Sequence, residues 1–125
     1  MSVGIRIFDR DHFNLVEDIN EIAHAMEGGA PPATIAELMT RLCDETDAHF
    51  SREAAFLRQA GFPDVERHVE EHRRLLEEIR TATAGIAAGK GPEDEDLYHF
   101  LRHWLIDHVI GFDKDYVLWA KQAPS

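Results

Sequence analysis

An all-α fold, an up-down-up-down four-helix bundle, is what this 125-residue chain predicts. Three observations lead there. Apolar residues recur at steps of three and four along four separate stretches. The breakers GGAPP, AGFPD and AAGKGPEDED divide those stretches with short loops. Strand-like alternation is absent, and 44 % hydrophobic with 30 % charged residues is the composition of a globular protein, expected here as one domain over residues 1–125.

The first helix is expected from Asp11 to Glu27, with His12, Val16, Ile19, Ala23 and Met26 on its inner stripe. GGAPP ends it, and a proline in the first turn of the next helix is tolerated because its missing N–H has no helical partner there. The second helix, Ala33 to Gln59, carries Ile35, Leu38, Leu42, His49, Glu53 and Leu57, bordered by Phe50 and Phe56. Gly61 then suits a left-handed C-cap and Asp64 an N-cap. The third helix, Val65 to Ala87, presents His68, His72, Leu75, Leu76, Ile79 and Ile86 on one side. An acidic run opens the fourth, Glu93 to Ile110, where it complements the helix dipole. Leu97, Leu101, Trp104, Leu105 and His108 form its inner side.

Charge narrows the function classes. Against 13 Lys+Arg stand 24 Asp+Glu, a net charge of -11, which repels nucleic acid and anionic membrane. Cys43 is the single cysteine, so no internal disulfide forms and a reducing compartment is acceptable. MSVGIRIFDRDHF holds no apolar run of signal-peptide length, and no segment is suited to membrane insertion. A cytoplasmic location is the expectation. GKGPED lacks the features of a phosphate-binding loop, and Cys43 has no evident histidine partner for nucleophilic work.

The eight histidines carry the chemistry. At about 100° per residue, His12, His49, His68, His72 and His108 fall on apolar faces, whereas His24, His99 and His103 point away and read as surface residues. Glu53 joins His49 one turn on. Asp113 follows His108 by five residues, about 140° off a straight helix, unless the chain relaxes near Gly111. One inward histidine is ordinarily a hydrogen-bonded core residue. Five imidazoles and two carboxylates in one small core are expensive unless cations neutralise them. Seven ligands exceed a four-ligand structural site and point to two ions, with iron, manganese and zinc all acceptable to nitrogen and oxygen donors.

In order along the chain these residues read DRDHFNLVEDIN, HFSRE, HVEEH and HVIGFD, with GFP before His68, HWL before His108 and Tyr116 after Asp113. This pattern over nearly the whole chain resembles the hemerythrins, especially single-domain bacterial hemerythrins. The resemblance implies a non-haem di-iron centre, cycling between Fe2+ and Fe3+ with an oxo or hydroxo bridge, that binds O2 reversibly. It further implies His68, His72 and His108 on one iron and His12 and His49 on the other. Glu53 and Asp113 would bridge them, leaving O2 the open position on the iron with two histidines. O2 enters neutral and the bridging proton stays inside, so the buried charge is unchanged and neither state is strongly favoured. A dry apolar shell is required, and Leu15, Phe50, Trp104, Leu105 and Val109 are its candidates.

Three departures from the family pattern stand out. The opening SVGI lacks a tryptophan-bearing arm, Ala54 replaces an acidic residue and Leu57 a methionine. They bear on solvent access rather than on the ligands. The expected role is O2 storage, delivery or supply to an oxygenase or other recipient, by a monomer and without catalysis. The alternatives are a di-iron redox enzyme handling peroxide or nitric oxide, and an O2- or iron-sensing module.

Overall fold

The computed structural model describes residues 6–90 and 94–111, without the side chains of residues 6, 7, 94, 95 and 108. Four helices make up the fold: α1 (Arg6–Glu27), α2 (Pro32–Ala60), α3 (Val65–Ala87) and α4 (Asp94–His103). The last continues directly into a π-helical segment, Trp104–Ile110. No strand occurs among the described residues. Loop length forces the topology. Residues 28–31 join α1 to α2, and four residues reach at most about 14 Å, whereas a 22-residue helix is about 33 Å long. Because α2 packs along α1 and α3 along α2, each must turn back on its predecessor. α2 packs on α1 and α3, and α1 with α3 also meets α4 or its π-helical extension, closing the four-helix bundle.

The turns follow local chemistry. Pro32 opens α2 in the first turn. Gly61 takes φ 76°, a conformation that a Cβ would disfavour, and closes α2 while the Phe62 N–H donates to Leu57 O at 3.0 Å. Phe62 is thereby folded into the core. Asp64 sits at the N-cap of α3, but its side chain makes no capping hydrogen bond, contrary to expectation.

The core runs the length of the bundle, from Phe8, Leu15 and Ile22 through Met39, Leu42 and Leu57 to Leu75, Ile79 and Leu101. Each such side chain, fully buried, contributes about 1.5–3 kcal/mol of hydrophobic stabilisation. On α1 the structure corrects the expected stripe. Its centre is Phe8, His12, Leu15, Ile19, Ile22 and Met26, while Val16 and Ala23 are only half-buried at its edge. On α2, Met39 rather than Leu38 is the fully buried residue, and Phe56 is partly exposed, edge-on to Phe8. The end of α4 is the second correction. Trp104 and Val109 are both buried, as are Leu105 and Ile110, so the inward step becomes five residues. An α-helix cannot keep both pairs inside, and an i→i+5 turn can. The Trp104 indole Nε1 donates to Leu75 O at 3.1 Å and ties this segment to α3.

Candidate metal centre

Among the described side chains, three helices deliver histidines to one layer of the core. His12 comes from α1, His49 with Glu53 from α2, and His68 with His72 from α3. The two pairs on α2 and α3 are each spaced i,i+4, which stacks both side chains on one helical face. Glu53 is 0 % exposed. Its Oε1 lies 2.7 Å from His68 Nε2 and 3.0 Å from His72 Nε2, and its Oε2 lies 3.1 Å from His49 Nε2. Two potential ligand groups result, His12–His49–Glu53 and Glu53–His68–His72, each with donor atoms within 4.8 Å of one another. Glu53 belongs to both, one oxygen towards each group. A carboxylate so placed could be shared by cations on its two sides.

The donor chemistry fits cations. Nitrogen and oxygen ligands at about 2.0–2.2 Å from a common ion, with bonds at right angles, stand about 3 Å apart, which is the spacing around Glu53. His49 adds a sharper test. Its Nδ1 pairs with Asp11 Oδ2 at 3.0 Å, and a neutral imidazole that carries its proton on Nδ1 has no second N–H. Nε2 is then a lone pair facing Glu53 Oε2, a buried oxygen that receives no hydrogen bond. In that tautomer two lone pairs would face each other in an apolar core, an arrangement that a cation between them relieves.

Aromatic packing fixes the rings. The Phe50 ring stacks on His72 at 3.8 Å between centroids and 1° between planes, and Phe8 and Phe62 meet His49 and His68 edge-on. Leu15, Trp104, Leu105 and Val109 are buried as well. A cleft of about 390 Å³ between α2 and α3 reaches His72 and Phe50 past Ala54 and Leu76, rimmed by Asp47, Arg58 and Arg73. The remaining expected ligands are His108, whose backbone lies in the π-helical segment but whose side chain is not described, and Asp113, outside the described residues with Tyr116. His24, His99 and His103 are exposed.

Sequence reasoning missed Asp11 and Arg52. Arg52 donates to Asp11 through Nε at 3.1 Å and Nη2 at 2.7 Å. Burial works to raise the Asp11 carboxyl, but hydrogen bonds from Arg52 and His49 outweigh it and hold the group below the ordinary carboxylate range. The available signal was position: Asp11, Leu15, Asp18 and Ile22 share a helical face, so an inward Leu15 implies an inward Asp11. Cys43, by contrast, is buried beside Thr83, and burial pushes its thiol up, which makes it a poor nucleophile. Among the described residues no helix is long and apolar enough to cross a membrane.

Comparison with known proteins agrees with this architecture. The bacteriohemerythrin of Pseudomonas aeruginosa (strain LESB58) is 31% identical over 125 residues, which is 100% of this chain and 80% of that protein. That of Stenotrophomonas maltophilia (strain R551-3) is 27% identical over 116 residues, 93% of this chain and 74% of that protein. The myohemerythrin of Riftia pachyptila is 26% identical over 95 residues, 76% and 70% of the two chains. No solved structure matches the chain significantly. The model of the hemerythrin HHE cation binding domain matches residues 3–119, and by that match the chain belongs to the hemerythrin family.

Proposed function

We propose that the protein binds O2 reversibly at a non-haem di-iron centre and serves its storage, delivery or supply to a recipient such as an oxygenase. One observation carries the reading: a fully buried carboxylate, Glu53, meets histidine nitrogens from α2 and α3 on its two oxygens. His12 and His49 would hold one iron, His68, His72 and His108 the other, with Glu53 and Asp113 bridging. An iron pair held there would supply the redox equivalents that reversible O2 binding requires. The chain's own part is to orient the imidazoles and keep water out. Leu15, Phe50, Trp104, Leu105 and Val109 do the latter, because solvent reaching the centre promotes irreversible oxidation. The protein acts as a monomer in the cytoplasm on this reading.

A second reading rests on the cleft at His72. An opening of about 390 Å³ that ends on a candidate ligand suits a redox enzyme handling peroxide or nitric oxide, or a sensor. One experiment separates the two. The protein is reduced without air, exposed to O2, then evacuated, with metal content and visible spectra recorded throughout. Two irons per chain and a colour that appears with O2 and leaves under vacuum are expected. A stable ferric form after one exposure would favour the second reading, and a colourless iron-free protein would end both. Glu53→Ala should lose both irons, whereas His24→Ala should change neither metal content nor colour.

A further inference from the structure

We infer that Asp11, held by Arg52, is a positioning residue for His49: it fixes the ring proton on Nδ1 and presents Nε2 to the cation beside Glu53. This rests on the di-iron reading and deepens it. The geometry is specific. Asp11 Oδ2 accepts from both His49 Nδ1 and Arg52 Nε, while Oδ1 accepts from Arg52 Nη2. A guanidinium fork of this kind fixes the plane of the carboxylate, and the carboxylate in turn fixes the rotation of the imidazole. Asp11 is only 8 % exposed, so water does not compete for its oxygens. The Arg52 side chain, 45 % exposed, reaches the interior from the surface.

Three residues on two helices therefore act as one relay, from Arg52 at the surface of α2 to Asp11 on α1 and back to His49 on α2. A carboxylate on Nδ1–H makes the imidazole a stronger donor at Nε2, which favours the more highly charged metal. Arg52 draws on the same carboxylate and moderates that effect. The two residues should thus act in opposite directions on the redox balance, although they form one ion pair. Loss of either charge shifts the potential by Coulomb's law alone, so the sign of the shift reports the charges, and the difference in iron retention between Asp11→Asn and Asp11→Ala reports the orienting bond.

The test uses iron-loaded wild type, Asp11→Asn, Asp11→Ala and Arg52→Gln. Iron retention is read by titration with a ferrous chelator, and the midpoint potential by equilibration with redox dyes. Loss of such a partner lowers metal affinity by about ten- to a hundredfold. That loss is expected for Asp11→Ala, with Asp11→Asn in between, because an amide oxygen still accepts from Nδ1–H. Asp11→Asn should raise the midpoint potential and Arg52→Gln should lower it. Equal retention in the Asn and Ala variants would reduce Asp11 to a distant charge. Potentials moving in the same direction, or not at all, would make the pair structural; both results overturn the inference while a wild type with two irons keeps the di-iron reading intact. A wild type that retains no iron would remove that reading instead. Should Asp11→Ala fail to fold, Asp11→Ser takes its place in the comparison with Asp11→Asn, since its short hydroxyl does not span the distance to His49 Nδ1.

Discussion

Two buried aspartates on α1 face α2 seven residues apart, and their surroundings drive them in opposite directions. Asp11 is 8 % exposed and Asp18 is 4 % exposed, so burial is similar. Opposite Asp11 lies Arg52, bonded through two nitrogens, with the His49 N–H on the same carboxylate. Two turns along, the neighbour of Asp18 is Glu45, and the nearest cation, Arg41, stands 3.5 Å away and is shared with Glu21 and Glu45. Burial, then the Glu45 carboxyl beside it, pushes the Asp18 carboxyl up to about 7. Asp11 stays below the ordinary range. Burial alone therefore decides little; the partner supplied by the opposite helix decides whether a buried carboxylate holds a site in shape or holds a proton.

The strongest way to break the comparison is to give Asp11 the surroundings of Asp18. Arg52→Glu places a second carboxylate against it and removes the fork. Breaking a buried pair by losing one member costs about 3–5 kcal/mol, and solvent screening at Arg52, 45 % exposed, brings the expected loss to about 1–3 kcal/mol. Urea unfolding at pH 7 measures it. A loss below about 1 kcal/mol, the range of surface ion pairs, would show that Asp11 does not depend on Arg52.

The reverse change should act through pH. Between its ordinary value of 3.8 and about 7, folded Asp18 keeps a proton that the unfolded chain has released. The folded state binds more protons, so stability falls as pH rises through that window and levels off above it. One proton limits the slope to about 1.4 kcal/mol per pH unit. Glu45→Gln removes the competing carboxylate and should flatten that slope, making the variant the more stable protein at pH 8. Unfolding curves from pH 5 to 8 give the answer, and parallel slopes for the two proteins would exclude the shared proton.

The four helices and the α2–α3 half of the site are legible in the sequence because both depend on local spacing. An i,i+4 pair points one way on any helix, so HFSRE and HVEEH place His49, Glu53, His68 and His72 without knowledge of the neighbours. The α1 stripe is harder. Leu15 and Val16 lie equally well beside His12, and Asp11 and Asp18 make the Leu15 side look solvated. Only the residues that α2 sets opposite reverse that impression, and inter-helix register is not written in either helix alone. The π-helical end of α4 does leave a trace, the five-residue step from Trp104 to Val109 and from Leu105 to Ile110, which a search at helical periods of three and four passes over.

A third aspartate gives the comparison its zero point. Asp64 occupies the position where an N-cap ordinarily bonds the first turn, yet its side chain makes no such bond, and its backbone (φ -102°, ψ 25°) is outside the extended region a capping residue prefers. The start of α3 is set by other means. The Phe62 N–H closes the end of α2 on Leu57 O, the Phe62 ring packs edge-on against His68, and the His68 N–H reaches Asp64 O at 3.0 Å. A capping aspartate contributes about 1 kcal/mol, whereas Asp64→Ala should change unfolding stability by less than about 0.5 kcal/mol, as an ordinary surface substitution does. A full capping loss in urea unfolding would mean that Asp64 adopts its bond in solution and that the α2–α3 corner is fixed by capping as well as by Phe62. A null result would leave the packing of Phe62 as what presents His68 to Glu53, and would complete an order among the three aspartates, Asp11, Asp18 and Asp64, set by what each one touches.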